Sequence, residues 1–263
     1  MSEVVFKINN LKKYYEINMG LFAKPKVVKA LDDISFEVRR GEVLSIVGES
    51  GCGKSTTAKL MLKIEEPTSG EILFEGKDVT KIEGEDLKDY RKKVQIIFQD
   101  PYSSLNPRWK VGQIISEPLV LNTDMSKHEI KDRALYLMEK VGMDKEWYHR
   151  YPHQFSGGQR QRIGIARALA LNPDVIICDE PVSALDVSIQ AQVLNLLLDL
   201  QEEFSLTYVF ISHDLSVVEH ISDRIVVMYF GEIAEQGTVE EIFDNPQHEY
   251  TQKLMSAIPV IDI

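Results

Sequence analysis

Residues 48–55 read GESGCGKS and lie between an apolar run, EVLSIVG, and a helical pattern, STTAKLMLKI. The octet fits the spacing G-x-x-x-x-G-K-[ST], in which a buried strand enters a glycine-rich loop and a helix leaves it. Gly48, Gly51 and Gly53 let the backbone curl, so that successive N–H groups and the helix N-terminus face an anion. The octet therefore requires an α/β layout around a phosphate loop.

The side chains of this loop predict the kind of phosphate. Lys54 would neutralise the β- and γ-phosphates of a nucleotide, and Ser55 would ligate Mg²⁺. A chance glycine-rich turn is the alternative, and the flanking strand and helix weigh against it. The predicted nucleotide contacts are Gly48, Glu49, Ser50, Gly51, Cys52, Gly53, Lys54, Ser55 and Thr56.

Further apolar runs alternate with helical patterns along the chain. The runs VQIIFQ, DVIICDE, LTYVFISH and RIVVMY are typical of buried strands in a largely parallel sheet covered by helices. Near the N-terminus, VVFKINNLKKYY and ALDDISFEVRRGE alternate apolar with polar positions, which predicts an antiparallel sheet. The expected fold is α/β, with a parallel core sheet and N-terminal antiparallel strands.

One interval lacks this strand pattern. From Asp100 to about Gly164 the clearest element is the amphipathic helix KHEIKDRALYLMEKVGM, so we expect an inserted helical subdomain. From Thr238 the sequence predicts two short helices, the first beginning after a Thr cap with an acidic first turn. We predict one domain over residues 1–263: a core of 1–99 and 165–237, a helical subdomain of 100–164 and a tail of 238–263.

Charge and composition exclude several protein classes. The 41 acidic residues outnumber the 30 lysines and arginines, and the net charge of -11 argues against a broad nucleic-acid-binding surface. The two cysteines, Cys52 and Cys178, in a chain without a signal peptide indicate a reduced, cytosolic protein. No apolar run approaches the ~18 residues that span a bilayer, so we expect other chains to anchor any membrane role.

Two consecutive carboxylates, Asp179 and Glu180, end the apolar run VIICDE. Ligands of α/β sheets bind beyond the carboxyl ends of strands, although a helix cap or a solvated loop would also explain the pair. Asp179 is a candidate to hold Mg²⁺ through water, and Glu180 a candidate to orient or deprotonate the attacking water. This assignment predicts hydrolysis rather than binding alone.

Six motifs occur in order: GESGCGKST, FQD, FSGGQRQR, VIICDEP, SALD and ISHD. With them the chain resembles the nucleotide-binding subunits of ATP-binding cassette (ABC) transporters, which implies a P-loop NTPase (RecA-like) core that takes ATP and Mg²⁺. The resemblance implies that Gln99 senses Mg²⁺ and the attacking water, and that His213 contacts the γ-phosphate. It also implies that SALD, ending at Asp186, couples the two sites of a dimer. Tyr15 best fits the aromatic residue that stacks on adenine, with Tyr14 as the close alternative.

Each of these residues also has an ordinary explanation. A histidine after a strand is often a satisfied polar residue, a tyrosine near an N-terminus is often packing, and SALD would serve to cap the next helix. The order of the six motifs favours the functional assignments.

FSGGQRQR resembles the family signature, with Phe155 where Leu is usual. In the family, two subunits pack head to tail, and each signature covers the γ-phosphate on the other's phosphate loop. The resemblance implies that Ser156 and the N–H groups of Gly157 and Gly158 donate to the partner's ATP, and that Gln159 positions the motif. An isolated monomer is then expected to bind ATP and hydrolyse it poorly.

Three arginines, Arg160, Arg162 and Arg167, follow the signature. They suit either catalytic fingers or an exposed basic face of the helix, and we favour the exposed face.

Two further stretches indicate which branch of the ABC family the chain resembles. FQDPYSSLNPR and NPQHEYTQKLMSAIP, with the N-terminal GLFAKPKVVKALDDISF, resemble the oligopeptide and dipeptide importer ATPases, and match the second ATPase of such systems more closely. The resemblance implies a paralogous ATPase as heterodimer partner, with a homodimer as the alternative in isolation. It also implies two membrane-spanning permeases, an extracytoplasmic solute-binding protein, and a peripheral position on the cytoplasmic face of the membrane.

Other functions stay open as alternatives. Importers of nickel or other small solutes share much of this pattern, so the solute rests on family association. A soluble ABC protein of DNA repair or translation, or a GTPase, would need coiled-coil insertions, zinc cysteines, a second cassette or an N-K-x-D motif, and we expect no nucleic-acid partner. We also expect no iron–sulfur cluster, because no cysteine follows Cys178. Oxidation of Cys52 or Cys178 would block nucleotide binding, which is a further hypothesis, although for Cys178 we favour the role of a small buried residue.

Overall fold

A computed structural model describes residues 3–17 and 26–256. The first part of GLFAKPKVVKALDDISF and the last residues of the predicted tail lie outside the described residues. The chain divides into two compact units, one formed by residues 1–83 with 209–263 and the other by residues 84–208. This division does not test the predicted subdomain limits at residues 100–164, which stay a prediction.

The first unit contains an antiparallel sheet of four strands in the order β2-β1-β4-β5. Its strands are β1 (Val4–Ile17), β2 (Lys26–Arg39), β4 (Ser69–Phe74) and β5 (Lys77–Asp78). Burial alternates along residues 6–8 of β1 and 34–39 of β2, where Ile8 lies opposite Phe36, as the alternating pattern predicts. The predicted N-terminal antiparallel sheet is confirmed, and β4 and β5 extend it beyond the two strands that the sequence indicated.

The parallel sheet gives the phosphate loop its base. In the first unit the strand order is β10-β9-β3-β8, with β3 (Val43–Val47), β9 (Arg224–Tyr229), β10 (Glu232–Thr238) and β8 (Thr207–Ser212), of which residues 209–212 belong to this unit. β3 is buried along its whole length and pairs parallel to β9, whereas β10 pairs antiparallel to β9. Strands buried on both faces read as continuous apolar runs, which is why the sequence predicts β3, β8 and β9 closely.

The second unit combines a parallel strand pair with five helices. Strand β6 (Val94–Ile97) pairs parallel to β7 (Val175–Asp179). The helices are α2 (Gly84–Lys93), α3 (Val111–Asn122), α4 (Lys127–Lys140), α5 (Gly157–Ala168) and α6 (Val187–Phe204). The predicted amphipathic helix is confirmed as α4, which begins at a capping box between Ser126 and Glu129. The predicted fold class is therefore confirmed.

The remaining α-helices belong to the first unit, and three of the four follow β8 in the chain. They are α1 (Lys54–Met61), α7 (Leu215–Ile221), α8 (Val239–Asp244) and α9 (Glu249–Ser256). The Thr238 hydroxyl caps α8 by accepting the N–H of Glu241, and the Glu241 carboxylate accepts the N–H of Thr238 in return. The two predicted tail helices and the Thr cap are confirmed. Apolar side chains of α7, α8 and α9 share one buried cluster with β3 and β9.

A single carboxylate fixes the turn that leads into α9. The two oxygens of Glu235, on β10, accept different backbone N–H groups, from Gln247 at 2.8 Å and from His248 at 3.0 Å. Burial raises the pKa of the Glu235 carboxyl, but the two backbone donors outweigh it, and the pKa lies below its ordinary value. The ionised carboxylate therefore stabilises the folded tail.

We predict that Glu235→Gln lowers the free energy of unfolding by about 1–3 kcal/mol at neutral pH, because the amide replaces one acceptor with a donor. A lowered folded-state pKa contributes stability above the unfolded pKa of about 4.3, and that stability is lost as pH falls through the folded-state pKa. Urea unfolding at pH 7 and in acid checks this. The gap between parent and variant should close in acid, whereas Glu202→Gln, at an exposed site on α6, should show no such gap.

Candidate functional site

The phosphate loop follows β3 and enters α1, as the sequence predicts. Gly48 and Gly53 both have positive φ, at 150° and 113°. A Cβ at Gly48 would lie 2.2 Å from the carbonyl oxygen of Met228, and a Cβ at Gly53 would lie 2.5 Å from that of Ala30. Neighbouring backbone therefore excludes any side chain at either position, and the loop keeps its curl.

Lys54 begins α1 and is 5% exposed. Its ammonium donates to the carbonyl oxygens of Gly48 at 2.6 Å and of Glu49 at 2.9 Å. The charge is thus held inside the curl of the loop by two backbone acceptors, close to where N–H groups of the helix start would meet a phosphate. Ser55, the next residue, is exposed in the first turn of α1.

The two cysteines are buried thiols. Burial raises the pKa of Cys52, although the nearby Lys54 opposes the rise, and burial raises the pKa of Cys178 far more. Because the thiolate is the form that reacts with oxidants, these positions are poorly suited to a redox switch.

Tyr15 and Tyr14 differ in what surrounds them. The Tyr15 hydroxyl donates to the Glu65 carboxylate, and the Lys13 ammonium lies 5.0 Å from the Tyr15 ring. Burial raises the pKa of Tyr15, the Glu65 carboxylate adds to the rise, and the Thr56 hydroxyl opposes it. Tyr15 therefore lies beside the end of the phosphate loop.

Tyr14 points to a different partner, since its hydroxyl donates to the Asp32 carboxylate. His213, the residue predicted to contact the γ-phosphate, is exposed between β8 and α7. Asp214 follows it and caps α7 by accepting the N–H groups of Ser216 and Val217. His213 thus follows the carboxyl end of a buried strand, as the sequence predicts.

In the second unit the acidic pair follows β7, and Gln99 follows β6. The Gln99 side-chain amide donates to the Glu180 carboxylate at 2.8 Å. The Ser183 hydroxyl donates to the backbone carbonyl of Glu180 at 3.1 Å. Glu180 itself has φ of 46°, a left-handed conformation that a glutamate rarely adopts and that is common at functional sites. The structure therefore brings together two of the three residues predicted to act in catalysis.

The proposed magnesium ligands were Ser55, Gln99 and Asp179. Their hydroxyl, amide and carboxylate oxygens suit Mg²⁺, which binds few protein oxygens and keeps several waters. Across residues 3–17 and 26–256, no group of three or more His, Cys, Asp or Glu side chains is placed to hold a metal ion. The predicted ligands include only one carboxylate, that of Asp179, so they would not form a cluster of this kind. Their oxygen atoms nevertheless suit Mg²⁺ as ligands.

The signature forms the N-terminus of α5. The Ser156 hydroxyl accepts the N–H of Gln159 at 3.3 Å, and the Gln159 side chain accepts the N–H of Ser156 at 3.0 Å. A Cβ at Gly158 would lie 2.4 Å from the side chain of Ile189 on α6. Gln159 thus shapes the start of the helix, and Gly158 lets α5 and α6 approach. Ser156 is exposed, beside the half-buried Gly157.

The expected exposed basic face of α5 is wrong. Arg160 is buried, donates to the Pro152 carbonyl at 2.8 Å and lies 3.5 Å from the ring centre of Tyr102. Arg162 and Arg167 are half-buried, and each donates to a backbone carbonyl at 2.6 Å, of Val141 and Ser104 respectively. The guanidinium groups therefore tie α5 to neighbouring loops of the second unit, which also removes the reason to consider them catalytic fingers.

Asp186 is the N-terminal cap residue of α6, yet its side chain makes no capping hydrogen bond. The following Val187 is 81% exposed. The explanation of SALD as a helix cap therefore fits the position of Asp186 at the start of α6. It does not explain why the residue is an aspartate, because the carboxylate does not cap the helix.

Comparison with known proteins now decides the family. The family model described as ABC transporter matches residues 31–183, which is more than half of the chain. The chain belongs to the ABC transporter family. As an ATP-binding cassette of this family it binds and hydrolyses ATP. A second model, described as the oligopeptide/dipeptide transporter C-terminal region, matches residues 234–263 of the cassette.

The cassette is similar to curated transport proteins. It is 60% identical to the dipeptide transport ATP-binding protein DppF of Haemophilus influenzae, over 95% of this chain and 76% of the relative. It is 54% identical to the oligopeptide transport ATP-binding protein AppF of Bacillus subtilis, over 98% of this chain and 79% of the relative. Both relatives are therefore covered for about three quarters of their length.

Solved structures agree with the fold. A dimeric post-hydrolysis state of the ATP-binding cassette MJ0796, bound to ADP and Pi, has a TM-score of 0.79 and 30% identity, over 89% of this chain and 98% of that one. The cbiO1 structure from Clostridium perfringens, part of the ABC transporter complex cbiONQ, has a TM-score of 0.80 and 30% identity, over 98% and 97% of the two chains.

Sequence reasoning missed some residues of the cassette's site. Glu65, which holds the Tyr15 hydroxyl, and Tyr250, whose hydroxyl accepts a phosphate-loop N–H, were not among the predicted residues. Glu65 lies in an ordinary charged stretch after α1, so nothing in the sequence singles it out. Tyr250 lies in NPQHEYTQKLMSAIP, a stretch used to narrow the family and not interpreted chemically.

We predict that Arg162→Ala lowers the free energy of unfolding by about 1.5–3 kcal/mol, because a charged donor to the Val141 carbonyl is lost. The ATPase rate per folded molecule should stay close to that of the parent. Thermal unfolding and ATPase assays on one sample check both statements, with the exposed Arg108→Ala as control. A variant of parental stability that has lost hydrolysis would instead support the alternative that these arginines are catalytic fingers.

Proposed function

We propose that this cassette powers an importer for oligopeptides or dipeptides. The observation that carries the solute class is the C-terminal segment, residues 234–263, which matches the model described as the oligopeptide/dipeptide transporter C-terminal region. The names of the DppF and AppF relatives, which concern dipeptide and oligopeptide transport, support the same class. No residue of the cassette is assigned to the solute, because in this proposal other chains bind it.

Hydrolysis in this proposal uses the residues already placed. Lys54 and N–H groups of the loop from Gly48 to Thr56, other than the Glu49 N–H that donates to Tyr250, bind the phosphates, and Tyr15 stacks on adenine. Glu180 orients or deprotonates the attacking water, His213 contacts the γ-phosphate, and Gln99 holds the Glu180 carboxylate in the geometry described above. The left-handed Glu180 supports this role, because such strain persists where the surrounding contacts enforce it.

Magnesium is part of the proposed site. The hydroxyl of Ser55, the amide oxygen of Gln99 and the carboxylate of Asp179, which acts through water, are the proposed ligands. When bound, Mg²⁺ neutralises charge on the phosphates.

The signature serves the ATP of a second cassette in this proposal. Ser156 is exposed at the start of α5, a helix of 12 residues whose N-terminal N–H groups suit an anion. Asp186 lies at the start of α6 without capping it, which supports a role at the dimer contact. The dimeric state of the MJ0796 cassette bound to ADP and Pi is further support. The partner is a paralogous ATPase, or a second copy when the chain is isolated.

Membrane partners complete the proposal. No helix among residues 3–17 and 26–256 is long and apolar enough to cross a bilayer. The cassette is proposed to act on the cytoplasmic face beneath two permeases, which a solute-binding protein supplies from outside. Within the second unit, α3 and α4 flank a groove of about 350 Å³, lined in part by Val120 and Leu121, which are 61% and 72% exposed. We assign this groove to a permease segment, since exposed apolar pairs beside a cavity favour a protein partner.

We predict that Glu180→Gln slows ATP hydrolysis by about 10²-fold or more, because it removes the general base. ATP binding should change little, since the amide has the same shape and still accepts from Gln99. Steady-state ATPase assays and calorimetric ATP titration check the two halves, with Glu202→Gln as a matched control on α6. Near-parental turnover in Glu180→Gln would remove Glu180 from the proposed role.

We predict that the ATPase rate per chain falls on dilution while ATP binding persists, because the site needs a second signature. Mixing Lys54→Ala with Ser156→Arg should restore activity to about a quarter of the parental rate, since random pairing in a two-fold dimer leaves one intact site in half of the dimers. A rate per chain that is independent of concentration, with no recovery on mixing, would show that one chain hydrolyses ATP alone.

A further inference from the structure

The C-terminal helix reaches the phosphate loop through one tyrosine. Tyr250, the second residue of α9, is 8% exposed. Its hydroxyl accepts the backbone N–H of Glu49 at 3.2 Å. Its ring stacks on that of Tyr229, with centroids 4.0 Å apart and planes at 29°. Both the ring and the hydroxyl are therefore engaged, one with β9 and the other with the first turn of the loop.

The end of β9 contacts the same loop. The N–H of Gly231 donates to the carbonyl of Cys52 at 3.0 Å. The carbonyl of Met228 faces Gly48 so closely that no Cβ fits between them. Met228 and Gly231 thus contact the loop at its start and near its end. Tyr229 lies between these two residues in the chain, and its ring stacks on that of Tyr250. The phosphate loop, the end of β9 and the start of α9 form one contact network inside the first unit.

The backbone before Tyr250 is fixed as well. Glu235 accepts the N–H groups of Gln247 and His248, and the Nδ1 atom of His248 accepts the N–H of Tyr250 at 3.1 Å. Three consecutive constraints therefore set where α9 begins and where its tyrosine points. A phenol held in this way fixes the direction of the Glu49 peptide at little cost in entropy, because few of its torsions are left to order.

We propose that Tyr250 is a positioning residue for the phosphate loop, through which the docking of the C-terminal helix raises nucleotide affinity. The inference rests on the proposed role of this loop as the phosphate site. The Glu49 N–H is held by Tyr250, and the neighbouring N–H groups stay oriented toward the phosphates. In this proposal the contact is kept alike in the bound state and in the transition state, so that its loss weakens binding and leaves the chemical step unchanged.

The coupling acts in both directions. If a docked α9 raises nucleotide affinity, bound nucleotide must stabilise the docking of α9 by the same factor. The stretch NPQHEYTQ, which links β10 to the loop, thereby acquires a physical role in nucleotide binding that is separate from the choice of solute.

Tyr250→Phe tests the inference, because it keeps the ring that stacks on Tyr229 and removes only the acceptor. One hydrogen bond of about 0.5–1.5 kcal/mol corresponds to a Kd for ATP and ADP raised by about 2- to 10-fold. In the assembled transporter, KM for ATP should rise by a similar factor and kcat should stay within about twofold of the parent. In the isolated chain, hydrogen exchange of residues 249–256 should slow on ADP binding in the parent and much less in the variant.

The matched control is Tyr208→Phe, which removes a buried hydroxyl that donates to the Leu197 carbonyl at 2.9 Å in the second unit. It should lower Tm and leave the Kd for nucleotide unchanged. Parental Kd and parental exchange behaviour in Tyr250→Phe would overturn the inference, as would a lowered Tm with an unchanged Kd. Lys54→Ala distinguishes a failure of the Tyr250 inference from a failure of the proposed phosphate site. If Lys54→Ala binds ATP like the parent, the assignment of the phosphate site is wrong.

Discussion

Close contacts between backbone atoms hold the phosphate loop in place. The position of Lys54 and the pairing of β3 with β9 are both tied to these contacts. Gly48 lies against the carbonyl of Met228 and Gly53 against that of Ala30, at distances that leave no room for a Cβ. Because the loop cannot spread, Lys54 is confined to its interior, where two backbone carbonyls hold the ammonium. The strands β3 and β9 must lie parallel and adjacent for this contact to exist, so the sheet order and the loop conformation depend on each other.

The second unit solves a different problem, which is to hold a glutamate in an unfavourable conformation. Glu180 leaves β7 with a left-handed backbone, and hydrogen bonds from Gln99 and Ser183 engage its carboxylate and its carbonyl. The donor that holds the carboxylate comes from the end of β6, the strand paired with β7. A shift of one strand along the other would therefore change the hydrogen bond that holds the Glu180 carboxylate.

The sequence predicts what depends on local pattern. β3, β8 and β9 were found because a strand buried on both faces is a continuous apolar run, and α4 and the Thr238 cap because their periodicity and capping residues are local signals. β4, β5 and β10 were missed because they are short or polar, with the pattern of Glu232–Thr238 largely half-buried or exposed. The arginines of α5 were misjudged because a cation that binds a loop carbonyl looks, in sequence, like one that faces water. The partners of Tyr15 and Tyr250 depend on tertiary contacts between distant segments, which no local pattern encodes.

The contact between Tyr250 and Glu49 joins residues 201 positions apart in the chain. During synthesis the N-terminal part emerges first, so the phosphate loop is made before Tyr250, whose hydroxyl accepts the N–H of Glu49. A chain released from the ribosome before Tyr250 would carry the whole loop motif and lack the helix that steadies it. A nascent chain therefore gains the contact that we propose to raise nucleotide affinity only after Tyr250 has been made.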